Sequence, residues 1–413
     1  MLGLTSPTAP RQPALMHPRR SPCTRGRCLQ TLLLAGLGGV LPACSDGSAV
    51  AEGPLAMPTA IMTPADSPVG DQSETTPAGS EMRDPFTLQV LDDVRLSSHS
   101  EDEFFQRASG SLDWGQGPFQ SVVLKVQLDT TCYPFEKWRT TPPPEGHNFP
   151  EMCDAFDRNF DINIQPEGAA EEEPAFEVVH AITPFGGPMS LTKDLTDLAN
   201  GRPGAHTLEA YIATWSDGAG QVTGAHGGWN VTVTVDVTPG PAPREVLAAI
   251  PLLNQGLGHM ETLSDLPFDL PGGTNSMVLE YRTSGHGGGN DPSCFGPADE
   301  FCQRQHHLYL DSDTPFTDLV PYRNDCADFC TLDTSPTLGG QSFCRENPNG
   351  LPASVRAPRS NWCPGDETIP FSWHMNVHGA PSSHRFKVAV DDIAEGGSWH
   401  VSATVYALAQ SAE

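Results

Sequence analysis

The chain is short of positive charge. Its 413 residues include 23 Lys and Arg against 51 Asp and Glu, which gives a formal net charge of −28 at pH 7. Proteins that bind DNA, RNA or anionic lipid surfaces need clustered lysines and arginines to contact the phosphates. This balance argues against a nucleic-acid partner and suits a soluble exported protein.

Long helical patterns are also missing. Charged residues make up only 18% of the sequence, and no sustained heptad of apolar positions is present. Gly and Pro number 40 each, and they separate short stretches of alternating apolar residues such as Val231–Val237. Short alternating strands with frequent turns predict an all-β fold. The length favours two domains over one.

No stretch near the N-terminus is long enough to span a membrane, because the apolar run at 29–41 is too short. Arginines precede this run, and it ends in Leu-Pro-Ala-Cys at 41–44, which resembles a bacterial lipobox. We therefore predict a signal peptide at 1–43 and lipidation of Cys44. The exported protein would face the periplasm or the cell exterior, held to the membrane only through this lipid anchor. Ordinary signal cleavage is the alternative.

Composition divides the exported part of the chain. Residues 44–84 are rich in Pro, Ser, Thr, Ala and Gly, which is typical of a flexible linker. Three prolines at 238–243 then separate two groups of strand patterns. The sequence therefore predicts one β-sandwich at 85–240 and a second at 244–413.

No Cys-x-x-Cys pair follows the linker, which disfavours a structural zinc site. Of the 11 cysteines, Cys23 and Cys28 lie in the predicted signal and Cys44 is the predicted lipid attachment site, so eight remain. An even number in an exported chain predicts disulfides. Proximity along the chain favours the pairs Cys132–Cys153, Cys294–Cys302, Cys326–Cys363 and Cys330–Cys344.

One stretch combines a cysteine, an acid beside an arginine, and a strand. Cys153 begins it, Asp157 and Arg158 follow, and Phe160–Ile164 alternates apolar and polar residues. A carboxylate between a disulfide and a strand is held rigidly, as a catalytic acid or base must be. The alternative is an aspartate that only caps a turn.

Seven short motifs share their order with one known family. They are Cys-Asp-Ala-Phe-Asp-Arg at 153–158, Ile-Thr-Pro-Phe at 182–185, Asp-Leu-Thr-Asp-Leu at 194–198, Thr-Trp at 214–215, Thr-Ser-Gly at 283–285, Asp-Glu-Phe-Cys with a following Arg and His at 299–306, and Arg-Ser-Asn-Trp-Cys-Pro-Gly at 359–365. Over most of 120–410 the chain resembles the peptide:N-glycosidase F family, secreted bacterial amidases built of two jelly-roll β-sandwiches side by side.

The resemblance implies a reaction and roles for single residues. The reaction is hydrolysis of the amide between asparagine and the first N-acetylglucosamine of an N-glycan, without metal or cofactor. Asp157 takes the position of the principal catalytic acid, and Glu300 that of a second acid from the other domain. Substrate contacts are implied for Arg158, Arg359, Trp215, Trp362 and His286. We expect a monomer that acts on N-glycoproteins or glycopeptides.

Two positions depart from the family pattern. Ala213 stands where a third acid is expected, and His286 stands where a cleft tryptophan is expected. Glu209 and Asp217 would share a strand face with Ala213, but each would lie about 13 Å away, too far for simple replacement. A glycan-binding relative without catalytic activity is therefore one alternative.

A copper-dependent monooxygenase of related architecture is a second alternative. Its nitrogen and sulfur ligands would come from His306, His307, His374, Met375 and His378. In the family pattern the first two fall on a plain strand and the other three in a loop without ligands, so we expect no metal. Gly285–Gly289 predicts a loop beside the cleft rather than a phosphate site, because no helix follows it.

Overall fold

The computed structural model describes residues 84–410, apart from 171, 262, 264, 289–290, 297, 337–338 and 378–381. The predicted signal peptide, Cys44, nearly all of the predicted linker and His378 lie outside the described residues. Among the residues that are described, no helix has the length and apolar character needed to cross a membrane.

Strands dominate the first half of the described chain. In order, its elements are β1 (Phe86–Ser97), β2 (Arg107–Asp113), β3 (Phe119–Asp129), a 3₁₀-helix (Phe135–Arg139), β4 (Asn159–Pro166), β5 (Phe176–Ile182), β6 (Met189–Asp194), α1 (Thr196–Gly201), β7 (Ala205–Ile212) and β8 (Gly228–Pro239).

The second half is also mostly strands. Its elements are β9 (Val246–Gly258), β10 (Leu266–Asp269), β11 (Ser276–Gly287), a 3₁₀-helix (Asp299–Phe301), β12 (His306–Leu310), β13 (Thr317–Leu319), a 3₁₀-helix (Cys326–Phe329), β14 (Leu332–Ser335), β15 (Gln341–Cys344), α2 (Pro352–Val355), β16 (Phe371–Asn376), β17 (Ser383–Val390) and β18 (Gly397–Leu408).

The first eight strands form a β-sandwich. Sheet I has the order β1-β8-β3-β6 and sheet II the order β2-β7-β4-β5, with antiparallel pairing throughout. Every second residue of a strand points to the same face, so both sheets present apolar side chains to one core. Leu124, Ile162 and Val233 are fully buried members of it. The predicted buried face of Phe160–Ile164 is therefore confirmed.

A second sandwich follows. Sheet III has the order β16-β11-β18-β9 and sheet IV the order β10-β17-β12-β13, while β14 and β15 form a separate hairpin. Its core includes Leu279, Val388 and Val405. The all-β sandwich prediction is confirmed. The jelly-roll topology and the exact domain limits at 240 and 244 stay predictions.

The two sandwiches meet where sheet II packs on sheet III. Strand β5 lies at the edge of sheet II, yet all seven of its residues are buried. From β9, Asn254 donates its amide to the side-chain oxygen of Asn163 at 2.8 Å, and from β11, Arg282 donates to the Glu177 carbonyl at 2.6 Å. The second sandwich thus covers an edge strand that would otherwise be open to pairing.

Some strand limits differ from the sequence-based expectation. Strand β7 ends at Ile212, so Trp215 and Asp217 follow the strand rather than continue it. Strand β11 continues to Gly287, because it stays paired with β18 where a loop was expected. Its Gly285 packs so closely on Trp399 that a Cβ would lie 2.8 Å from the indole ring. The glycine therefore serves close strand packing.

All four predicted disulfides are present. They are Cys132–Cys153, Cys294–Cys302, Cys326–Cys363 and Cys330–Cys344. The first fixes the residue that begins the Asp157 segment, and the second closes the loop that contains Glu300. Both predicted acids therefore lie on crosslinked backbone.

We expect the double substitution Cys132→Ser/Cys153→Ser to lower the free energy of unfolding by about 3 kcal/mol, because this bridge closes a long loop. Its cysteines are 21 residues apart. Urea-induced unfolding measures the change. In the matched control Cys294→Ser/Cys302→Ser the separation is 8 residues, so the loss should be smaller. A larger loss for this shorter loop would contradict the chain-entropy explanation.

Candidate active site

The segment between Cys153 and β4 is held by a buried ion pair. Asp154 is fully buried and accepts two hydrogen bonds from the Arg158 guanidinium, at 2.8 Å and 2.9 Å. Arg158 also donates to the Trp215 carbonyl at 3.0 Å, and its backbone N–H donates to Thr183 Oγ1 at 2.9 Å. Arg158 therefore fixes the backbone on either side of the Asp157 position. Its guanidinium is committed to structure, and only 14% of the side chain is exposed.

Arg359 is the centre of the corresponding site in the second sandwich. Only 1% of it is exposed, and its Nη1 donates to Glu300 Oε1 at 3.1 Å. Its Nη2 donates to the carbonyl and hydroxyl oxygens of Ser354 at 3.0 Å and 3.2 Å. The guanidinium carbon lies 4.3 Å from the Phe301 ring centre and 4.6 Å from that of Trp362. Arg359 is thus a buried holder of Glu300 rather than an open cation.

Asp157 and Glu300 converge on this arginine. Burial raises the pKa of Asp157 to about 6; the charge of Arg359 opposes this rise, and the charge of Glu300 adds to it. Burial likewise raises the pKa of Glu300, against the effect of Arg359. The charges of Arg359 and Glu300 both act on Asp157, so the three groups lie near one another, and we refer to the space around them as the candidate cleft.

The aromatic residues predicted at the site differ in how much of each side chain is exposed. Trp215 is 52% exposed and leaves its indole open to solvent. Trp362 is 2% exposed, lies against Arg359, and donates its Nε1–H to the Gly285 carbonyl at 2.8 Å. His286 is half-buried and stacks on Trp362, with ring centres 5.5 Å apart. Trp362 therefore packs against Arg359, and Trp215 is linked to the Asp157 segment through the Arg158 hydrogen bond to its carbonyl.

No neighbouring acid replaces the carboxylate missing at Ala213. Glu209 pairs with Arg107 on sheet II. Asp217 accepts hydrogen bonds from the backbone N–H groups of residues 219–222 and so shapes the loop after β7. Both carboxylates have local structural partners, as expected from their distance along the chain.

A buried polar network joins the sandwiches beside the cleft. Glu177 on β5 accepts hydrogen bonds from His400 and Ser402 on β18, both at 2.5 Å, and lies 3.3 Å from the guanidinium of Arg282 on β11. The β4–β5 pairing shifts register between Ile162 and Asn163. This irregularity brings Glu177 and His180, three residues apart, within 3.5 Å of each other. No sequence pattern predicts this network, because its members come from distant strands.

The described residues also permit a test of metal binding. Glu177, His180 and His400 offer three ligand atoms within 4.8 Å of one another. A metal ion lies near the plane of each imidazole that binds it. Here the two rings are stacked, 4.6 Å apart at 15°, so their planes do not meet within metal–nitrogen bonding distance of both rings. The cluster fits a buried ion pair and not a metal site.

The residues proposed for copper have other partners. His306 contacts the Tyr281 hydroxyl at 2.7 Å, and His307 contacts two aspartates. His374 and Met375 lie on β16, which corrects the expected loop position, and His374 is exposed. Among the described residues, none of these three histidines belongs to a group of three His, Cys, Asp or Glu side chains whose ligand atoms lie within 4.8 Å of one another.

Comparisons with known proteins identify one family model and several solved structures of similar fold. The family model described as "Peptide-N-glycosidase F, C terminal" matches residues 258–406. The structure of PNGase F, a glycosylasparaginase from Flavobacterium meningosepticum, matches with 17% identity and a TM-score of 0.56, over 79% of this chain and 96% of that one. The chain resembles the peptide-N-glycosidase F family.

Two further solved structures share the fold. A peptide-N(4)-(N-acetyl-β-D-glucosaminyl)asparagine amidase matches with 18% identity and a TM-score of 0.58, over 79% of this chain and 96% of that one. PNGF-II matches with 18% identity and a TM-score of 0.57. The match covers 78% of this chain but only 65% of PNGF-II. No curated protein sequence matches the chain.

The buried pair of Glu177 and His400, where the two sandwiches meet, should make the stability of the protein depend on pH. Burial disfavours the charged form of His400, but the Glu177 carboxylate outweighs it and raises the pKa of His400 to about 9. Burial favours the neutral form of Glu177, but the charge and the hydrogen bond of His400 outweigh it and hold the pKa of Glu177 well below its ordinary value. Because the pKa of His400 is higher in the folded state than in the unfolded state, the ion pair contributes its full stabilisation at pH values below the unfolded pKa, near 6.5. This stabilisation is lost as pH rises through the folded pKa of about 9.

We therefore expect the melting temperature to fall as pH rises from about 7 to about 10. Thermal unfolding followed by circular dichroism measures this. At neutral pH the variant His400→Gln should have a lower melting temperature than the wild type. Its melting temperature should fall less between neutral and high pH, because residue 400 then has no proton to release. A wild-type melting temperature that stays level over this range would contradict the assigned ion pair.

Proposed function

We propose that the protein is a glycoamidase that hydrolyses the amide between asparagine and the first N-acetylglucosamine of N-linked glycans. One observation supports the proposal: Arg359 is buried, donates a hydrogen bond to Glu300, and acts through its charge on Asp157 from the other sandwich. Clefts between domains are common places for substrate binding. The resemblance of the second sandwich to the C-terminal domain of peptide-N-glycosidase F supports the same reaction.

Asp157 is proposed to act as the general base. Its pKa of about 6 leaves it ionised at neutral pH and makes it a stronger base than an ordinary carboxylate. It takes a proton from the water that attacks the amide carbon. Glu300, which Arg359 holds in place, is the second acid and donates a proton to the leaving nitrogen. The products are an aspartate and a glycosylamine, so water supplies all added atoms.

The remaining site residues have supporting roles in this proposal. The exposed indole of Trp215 offers a flat apolar face on which a sugar ring stacks. Arg158 positions the Asp157 segment and Trp215 through its hydrogen bonds, and Arg359 and Trp362 position Glu300. No metal or cofactor is part of the mechanism.

The main alternative is glycan binding without hydrolysis. It is favoured by Ala213, since the acid expected there is absent and neither Glu209 nor Asp217 is free to replace it. The lipid anchor at Cys44 and the monomeric state stay predictions. Four disulfides are typical of an exported protein.

Asp157→Asn should reduce conversion of asparagine to aspartate in an N-glycopeptide by at least about 100-fold, because the base is lost. Mass spectrometry of the released peptide measures the conversion. The melting temperature at neutral pH should stay the same or rise, because a folded-state pKa above the unfolded value means that burying the charge costs stability.

In the wild type, kcat/KM should fall as pH falls below about 6, where Asp157 takes up a proton. Glu209→Gln, which removes a carboxylate on sheet II away from the cleft, is the matched control and should keep full activity. Activity that persists in Asp157→Asn, or that rises toward acid pH, would exclude Asp157 as the base.

Ala213→Glu should raise kcat/KM by about 10-fold or more, because it returns a third acid to the position where the family has one. Ala213 is half-buried directly after β7, and its N–H donates to the Asn159 carbonyl at 3.0 Å, so a side chain there projects from fixed backbone. The neutral variant Ala213→Gln controls for size. Equal rates for the two variants would show that the absent charge does not limit the reaction.

A further inference from the structure

A chain of four side chains crosses from the first sandwich into the cleft. Asp161 Oδ1 lies 2.5 Å from His180 Nδ1, His180 Nε2 lies 2.6 Å from Ser284 Oγ, and Ser284 Oγ lies 2.7 Å from His286 Nε2. Only 1% of His180 and 0% of Ser284 is exposed. Water therefore has no access to the middle of the chain, and the hydrogen bonds must satisfy one another.

Asp161, at one end of this series of four side chains, fixes the direction of the hydrogen bonds. The Asp161 carboxylate only accepts, so His180 Nδ1 carries a proton. In a neutral ring the Nε2 atom then accepts the hydroxyl proton of Ser284. The Ser284 hydroxyl has only one proton, and it donates this proton to His180. The Ser284 oxygen therefore accepts a hydrogen bond from the Nε2–H of His286. This leaves a lone pair on Nδ1 of His286.

The neighbouring histidine favours a neutral His180. The rings of His180 and His400 are stacked with centres 4.6 Å apart, and two stacked cations would repel each other. His400 carries the charge of the pair, because it lies against Glu177, 2.5 Å from the carboxylate. Arg282 supplies a further positive charge beside Glu177. The carboxylates of Glu177 and Asp161 are already balanced by His400 and Arg282, so a protonated His180 would leave this buried region with a net positive charge.

The other nitrogen of His286 is free for an outside partner. Nδ1 has no hydrogen-bond partner among the described residues, and it is not among the nitrogens sealed from solvent. Burial, the two imidazoles nearby and the charge of Arg359 hold the pKa of His286 well below its ordinary value. The ring is thus neutral, and Trp362 fixes its plane by stacking.

We propose that His286 is a hydrogen-bond acceptor of the cleft, which presents its Nδ1 lone pair to an O–H or N–H donor of the substrate or of the attacking water. Asp161, His180 and Ser284 are positioning residues that hold it in the Nε2–H tautomer. The nature of the donor rests on the proposed function, whereas the tautomer does not. Ser284 is not a nucleophile in this arrangement, because it is fully buried.

Nitrogen NMR of ¹⁵N-histidine-labelled protein tests the tautomer without any substrate. At neutral pH, two-bond ¹H–¹⁵N correlations should show His286 protonated at Nε2 and His180 at Nδ1. Ser284→Ala breaks the chain, so His286 should lose its single tautomer. The matched control is Ser402→Ala. It also removes a buried hydroxyl where the two sandwiches meet, but this hydroxyl donates to Glu177 and not to His180. It should leave the His286 signals in the wild-type pattern.

A pair of variants at His286 tests the acceptor in turnover. An asparagine amide reaches the place of Nδ1, and a glutamine amide reaches the place of Nε2. His286→Asn should therefore keep most activity on a glycopeptide, and His286→Gln should lose about 10-fold in kcat/KM. A raised KM would place the donor on the substrate, and a lowered kcat would place it on the attacking water.

Two results would overturn the proposal. One is a wild-type His286 that carries its proton on Nδ1 or on both nitrogens. The other is a Ser284→Ala variant with an unchanged His286 tautomer. If the wild type turns over no glycopeptide, the proposed glycoamidase function fails, and the NMR spectra still decide whether the chain holds His286 as an acceptor.

Discussion

The cleft exists because a buried carboxylate joins two β-sandwiches. Glu177 on β5 is satisfied by His400 and Ser402 and lies beside Arg282, all from sheet III. A charge buried without such partners would cost several kcal/mol, so Glu177 is compatible with folding only when the second sandwich is in place. The same contact helps to fix the position of Asp157 relative to Glu300, since Asp157 follows the disulfide-bonded Cys153 in the first sandwich and Glu300 lies in the loop closed by Cys294–Cys302 in the second.

The acids themselves are controlled by the charges around them. Arg359 counters part of the effect that burial has on Asp157 and Glu300, and it is in turn held by Ser354 and two aromatic rings. Arg158, one residue from Asp157, is neutralised by Asp154 and therefore adds little to the field in the cleft. The result is one acid whose pKa lies near neutrality, the range in which a carboxylate is most useful as a base.

Local features of the fold were predictable from the sequence, and the contacts between distant strands were not. Phe160–Ile164 reads as a strand because its period of two matches a half-buried sheet, and the disulfides follow from proximity along the chain. Asp154 and Ser354 have ordinary sequence contexts, and only the folded chain brings them to Arg158 and Arg359. The end of β7 was misjudged because alternation continues past Ile212, where strand pairing stops.

The two departures from the family pattern act on the same electrostatic balance. A carboxylate at position 213 would add a third charged acid near the Asp157 segment, and the proposed reaction would gain a group for proton transfer. Ala213 removes that charge. In the proposed arrangement, His286 supplies a hydrogen-bond acceptor in place of a tryptophan, and as a neutral ring it adds no charge. The cleft then keeps an acceptor for the substrate or water while Asp157 remains ionised at neutral pH, which is the state that a general base requires.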